Sequence, residues 1–193
     1  IGDNTRDAIN QGLADYTPIF LSQVPHLLRR KVIPIDVALI QVSPPDDHGF
    51  VSLGISVDIV KAAVENARLV IAQMNSYMPR VHGNTFIHIR DIAYLIHHDE
   101  PLLEYEASIP SEIAERIGKN VARIVEDGDT IQVGYGSIPN AILSNLSHKK
   151  NLGVHTELFT EGIAHLMQQG VITNTQKSID RGKTVAAFCM GKK

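Results

Sequence analysis

TIQVGYGSIPNAILSNLSHKKNLGVHTE, residues 130–157, decides the fold class. Thr130–Val133 is a short run suited to a strand, and GYGSIP turns the chain. Pro139–Leu146 then carries apolar residues at helical spacing, and Leu152–His155 returns to a strand pattern. A strand, a glycine turn, a helix and a second strand form a βαβ unit. Parallel neighbours need such a crossover, so the sequence predicts an α/β fold with mainly parallel sheets.

The same alternation extends both ways. Downstream, Thr160 suits the N-cap of a helix running to Gln169, and Thr184–Cys189 reads as a last strand. No helix follows it, so the domain is expected to be truncated there. Upstream, Pro110 is expected in the first turn of a helix with Ile113, Ile117, Val121 and Ile124 on its buried face. That helix should stop at Glu126-Asp127-Gly128, with Gly128 as a left-handed C-terminal residue. Pro101, Glu104 and Glu106 make residues 101–109 a linker. A first α/β unit precedes it. Val37–Val42 reads as a buried strand, 43–49 as a loop, and Val51–Leu53 as a short strand. Ser56 is then read as the N-cap of a helix carrying Val60, Ala63, Val64 and Ala67, before a buried strand at Leu69–Met74. The expected organisation is two open-sheet domains, 1–100 and 110–193.

Composition narrows the function. With 44% hydrophobic and 20% charged residues over 193 positions, the chain is globular. A net charge of −3 carries no polyanion-binding signature, which argues against nucleic acid. No apolar run approaches the roughly 18 residues of a membrane span. Cys189 is the single cysteine, so no intrachain disulfide can form and cytoplasm is the default compartment. The nine His show no zinc-site spacing, and no metal is expected.

Ligands of open α/β sheets gather at the carboxyl ends of strands, and three candidate sites lie there. Residues Gly134, Tyr135, Gly136, Ser137, Ile138 and Pro139 follow a strand and open a helix. Their glycines allow close backbone approach, and the helix start favours a phosphate or oxyanion. A plain tight turn fits equally. Glu157, in VHTELFTEG, falls between a strand end and a helix N-cap, where a carboxylate can face a cleft or simply be solvated. Glu161 suits the dipole of the helix it opens. His155, two residues before Glu157, is read as a hydrogen-bonded structural histidine. In SPPDDHGFVSLG, residues 43–54, Asp46, Asp47 and His48 suit an Asx turn better than a metal cluster. His97 and His98 are adjacent on a strand and point to opposite faces, so they do not share a metal. Arg80, in Met78-Pro79-Arg80, is either a phosphate or carboxylate clamp or a solvated side chain.

Five stretches in order resemble the acetyl-CoA hydrolase/transferase family. They are SPPDDHGFVSLGISVD (43–58), IAQMNSYMPRVHG (71–83), TIQVGYGSIPNAIL (130–143), NLGVHTELFTEGIAHLMQQGVITN (151–174) and KSIDRGKTVAAFCMG (177–191). The likeness is greatest to the 4-hydroxybutyrate CoA-transferase type and covers the middle portion of such a chain. It implies parts of two CoA-transferase-type, NagB/RpiA-like domains, truncated at both ends, with the first domain's latter part in 1–100 and the second's first part in 110–193. It implies Glu157 as the nucleophile, the loop Gly134–Pro139 as acyl-CoA and oxyanion contacts, and Asn75, Met78, Pro79 and Arg80 as a substrate loop. It further implies coenzyme A and acyl-CoA as substrates rather than a permanently bound cofactor, and short-chain carboxylates as partners; the many buried-type strands with missing cover point to a homo-oligomer, expected as a dimer.

The resemblance leaves alternatives. An acyl-CoA hydrolase would use the same Glu157. A start without Met and an end after a strand fit a non-catalytic fragment or binding module. A dinucleotide binder built on 130–157 is disfavoured, because Pro139 stands where the GxGxxG pattern needs its last glycine.

Overall fold

The structure, a computed structural model, describes residues 2–106 and 109–192. Two short helices, α1 (Asp3–Asn10) and α2 (Val24–Arg29), come first, and of these only Leu28 is buried. Strand β1 (Val37–Val42) follows, then β2 (Phe50–Ser52), α3 (Val60–Asn66) and β3 (Leu69–Met74). After β4 (Phe86–His88) and β5 (Tyr94–His97), β1, β3 and β5 form a parallel sheet in the order β1-β3-β5. Its register pairs Val37 with Leu69 and Ile71 with Tyr94. Strands β2 and β4 make a separate antiparallel pair.

The apolar run of β1 is not buried on both faces as expected. Ala38 and Val42 enter the core, whereas Leu39 is 76% exposed. The pleat sends alternate residues to opposite faces, and α3 and its neighbours cover one face only. The core there joins Val42, Val51, Leu53, Val70, Ala72 and Ile87. Ser56 does not cap α3. The helix begins four residues later, where Asp58 Oδ1 accepts from Val60 N at 3.2 Å. Ser56 instead bridges Phe188.

The second unit contains α4 (Glu112–Ala122), β6 (Thr130–Ile131), α5 (Ser137–Ser144), β7 (Gly153–Val154), β8 (Leu158–Thr160), α6 (Glu161–Gln168) and β9 (Phe188–Met190). β6 pairs with β7 and β8 with β9, both in parallel. Its core gathers Leu143, Leu146, Leu152, Val154, Ile163 and Leu166.

Helix α4 departs from expectation at both ends and on its buried face. Ser111, not Pro110, sets its start, with Ser111 Oγ accepting from Ala114 N at 3.2 Å. It ends at Ala122, before Gly128, whose φ of +88° serves the following turn. Ile113 and Ile124 are exposed, while Ala114, Gly118 and Ala122 are buried. Small residues win this face because α5 lies close: a Cβ at Gly118 would stand 2.6 Å from the Ala141 carbonyl oxygen.

The two units are stitched through β9. Val57 N and Asp58 N both donate to Ala187 O at 3.2 Å, and Cys189 N donates to Ile55 O at 2.8 Å. Of residues 101–109, Ala107 and Ser108 lie outside the described residues. Tyr105 N donates to Gly191 O at 3.1 Å. No helix among the described residues is long and apolar enough to cross a membrane.

Candidate active site

The segment leaving β7 alternates strictly. Val154, Thr156 and Leu158 are buried, while His155 and Glu157 are exposed. His155, expected as a hydrogen-bonded structural histidine, lies exposed. Backbone pairing of β6 stops at Ile131, but a side chain extends it. Thr156 Oγ1 donates to Val133 O at 2.8 Å and accepts from Val133 N at 3.1 Å. Val133 precedes Gly134 and Thr156 precedes Glu157, so this clamp sets the root of the glycine loop beside the root of the carboxylate. The Glu157 carbonyl is fixed from the other side by Ala187 N at 2.8 Å and Phe188 N at 3.2 Å.

The loop delivers the chain into α5 through Gly136, whose φ of +122° and ψ of −174° disfavour any side chain. The helix opens at Ser137, two residues before Pro139. Proline is still tolerated there because its missing N–H falls within the first turn. Asn140 N already reaches Gly136 O at 3.1 Å. By position the Ser137 and Ile138 N–H groups lack an intrahelical acceptor and can serve an anionic oxygen.

Tyr135 is exposed and packs against Tyr105, with ring centroids 5.3 Å apart. The neighbouring Tyr105 side chain raises the Tyr135 phenol above its ordinary value. Both rings line a cavity of about 510 Å³ together with Gly136, Leu158, Thr160 and Glu161. Glu157 is not in its wall; the extended chain sends it to the side opposite Leu158. Thr160 takes the N-cap position of α6 without a side-chain capping bond, and its buried Oγ1 has no partner among the described residues. Burial also raises the thiol of Cys189 on β9.

The other candidate loops lock onto each other. Asp46 Oδ1 accepts from His48 N at 3.0 Å and Phe50 N at 2.8 Å, the expected Asx-type turn. These bonds, with the Phe50 amide the largest cause, hold the Asp46 carboxyl below its ordinary range. Arg80 donates to Asp46 Oδ2 at 2.7 Å and to Phe50 O at 3.1 Å, and lies 4.4 Å above the Phe86 ring. Its guanidinium is thus occupied within the chain. Met78 is buried against Gly54, and the Pro79 carbonyl also lies close to that glycine. Asn75, fully buried, donates to Glu100 O at 2.7 Å and accepts from Tyr77 N at 3.0 Å. His97 and His98 take separate acidic neighbours, Asp99 at 3.5 Å and Glu100 at 3.8 Å.

The structure therefore sets the backbone roots of Glu157 and of the 134–139 loop side by side and leaves 75–80 as a braced loop of the first unit. Thr156 and Tyr105 escaped the sequence reading. Thr156 carried one usable signal, a hydroxyl on the buried side of an alternating strand that needs a partner.

Comparison with known proteins agrees with this architecture. The chain is 48% identical over its 193 residues to the 4-hydroxybutyrate coenzyme A transferase of Clostridium kluyveri, covering 45% of that protein. It is 48% identical over 191 residues to a succinyl-CoA:acetate/propanoyl-CoA:succinate CoA transferase of Fasciola hepatica, covering 40% of it. Among solved structures, a 4-hydroxybutyrate CoA-transferase from Porphyromonas gingivalis superposes with a TM-score of 0.87 at 37% identity, over 100% of this chain and 49% of that one. RipA from Yersinia pestis superposes with a TM-score of 0.90 at 35% identity, over 97% of this chain and 44% of that one. The chain thus spans about half the length of the relatives it matches. Residues 1–104 match the acetyl-CoA hydrolase/transferase N-terminal domain, and the chain belongs to the acetyl-CoA hydrolase/transferase family.

Proposed function

We propose that this chain carries the nucleophile of a CoA-transferase that moves CoA from a short-chain acyl-CoA to a carboxylate such as acetate. The acyl donors are 4-hydroxybutyryl-, butyryl- or acetyl-CoA. The observation that supports the reading is the clamp of Thr156 on Val133, which joins the residue before the exposed Glu157 to the residue before the Gly134–Pro139 loop. The named activities of the relatives, exchange between acyl-CoA thioesters and carboxylic acids, support the reaction class.

A carboxylate suits this chemistry because its acyl anhydride is as reactive as the thioester it replaces. The Glu157 carboxylate attacks the thioester carbonyl; the C–S bond breaks, leaving an acyl-glutamyl anhydride and CoA thiolate. The thiolate attacks the glutamyl carbonyl and releases the free acid, giving a glutamyl-CoA thioester. An acceptor carboxylate then reverses both steps, so no net proton is gained or lost. The N–H groups of Ser137 and Ile138 are the donors for the tetrahedral oxyanion. Water must be excluded, since it would hydrolyse either intermediate. A hydrolase differs only in admitting water, so a requirement for an acceptor carboxylate separates the two.

On this reading residues 1–100 belong to one CoA-transferase domain, 101–109 link it to a second, and 110–193 carry the nucleophile. The protein works as a cytoplasmic homodimer without a resident cofactor. The test is to incubate the complete gene product with butyryl-CoA and no acceptor, reduce with borohydride, and locate the modified peptide by mass spectrometry. Reduction confined to the Glu157 peptide, and absent in Glu157→Gln, is the expected result. CoA transfer with an unmodified Glu157 would refute the assignment.

A further inference from the structure

Lys177 is 1% exposed, among the most deeply buried side chains described. Its Nζ donates to Val154 O at 2.9 Å and to Lys183 O at 2.7 Å. No carboxylate lies within 4.0 Å of it among the described residues. An enclosed ammonium without a counter-ion is costly, and a neutral side chain would fill the same space at lower desolvation cost.

Two further features converge on the same peptide. Asn174, 2% exposed, sits at a φ of +60°, a left-handed conformation that asparagine adopts more readily than most non-glycine residues. Its Oδ1 accepts from Val154 N at 2.9 Å, and its amide donates to Thr184 Oγ1 at 2.9 Å. Gly153 leaves room for the lysine stem, since a Cβ there would stand 2.6 Å from Lys177 Cγ. Both backbone groups of Val154 are thus gripped by side chains, three residues before Glu157. A buried lysine spent on one strand peptide is a sequence cost of the kind that concentrates where structure serves function rather than stability.

We propose that Lys177, seconded by Asn174, is a positioning residue that fixes the β7 exit strand and thereby the attack trajectory of Glu157. This rests on the assignment of Glu157 as nucleophile. Because Lys177 is fully buried and holds the strand backbone three residues from Glu157, its loss should leave acyl-CoA binding intact and slow the attack, which depends on close placement.

The test uses the complete gene product with butyryl-CoA and acetate, comparing wild type with Lys177→Met, Lys177→Arg and Thr184→Val. Rates are normalised to folded protein by circular dichroism. Lys177→Met should lower kcat and the borohydride-trapped label at Glu157 about tenfold or more, with KM for butyryl-CoA within about twofold. Lys177→Arg, which keeps the donors, should recover part of the loss. Thr184→Val loosens Asn174 without stranding a charge, so it stays informative if Lys177→Met does not fold; about a threefold loss is expected. Wild-type label at Glu157 with unchanged labelling in the folded variants overturns the positioning role alone. No label at Glu157 in wild type overturns the nucleophile assignment, and the positioning role with it.

Discussion

Replacing Gly118 by alanine sets two effects of opposite sign against each other. In a helix interior alanine is favoured over glycine by about 1 kcal/mol, so propensity alone predicts stabilisation. The packing predicts the reverse. The new Cβ would lie 2.6 Å from Ala141 O, 2.7 Å from Ala141 C and 3.1 Å from Ala141 Cβ. Two of these contacts are to backbone, which cannot swing aside as a flexible side chain can. Helix α5 must move away from α4, and overpacking of this kind costs about 2–3 kcal/mol. The net expectation is a loss of about 1–2 kcal/mol, or a fall of about 0.5–1 M in the urea midpoint. Lys119→Ala, an exposed position on the same helix, is the control and should leave the midpoint nearly unchanged. A raised midpoint for Gly118→Ala would refute the reasoning, because it would mean the helix pair relaxes at no cost.

Thr156→Val keeps the shape of the side chain and removes the clamp on Val133. With a buried donor and acceptor left unpaired, it should cost about 1–3 kcal/mol and lower the trapped label at Glu157, both measurable on one preparation. Asp46 predicts a pH effect. Its carboxyl is held below the ordinary 3.8, chiefly by the Phe50 amide, so its contribution to stability is present above that value and lost as the pH falls through its lower folded value. Acid titration of stability should therefore be steeper below pH 3.8 for wild type than for Asp46→Asn, and equal slopes would contradict it.

Strands β1 and β3 were legible because each is a continuous apolar run between turn residues, and both span the expected residues. What the run did not reveal is which face stays uncovered, since that depends on neighbours distant in sequence. Helix α4 was legible as a helix but not in orientation. Its isoleucines suggest one stripe, while Gly118 and Ala141 select another by letting two backbones approach. Strand β8 was missed because LFT is too short to alternate visibly, and its partner β9 lies far downstream. At the candidate site, the glycine turn and the position of Glu157 between strand and helix were readable locally. The partners that fix them were not. Thr156 reaches Val133 across 23 residues, and Lys177 reaches Val154 across the same separation. A buried lysine looks like any surface lysine until the fold encloses it.

Strand β9 has β8 on one edge and residues 55–58 on the other. A plain connector between the two cores would behave as slack rope, letting them drift apart. The bonds from Val57, Asp58 and Cys189 act instead as a rivet. Separation of the cores requires peeling a ladder, and any displacement of β8 and β9 is delivered directly to the segment that leads into α3.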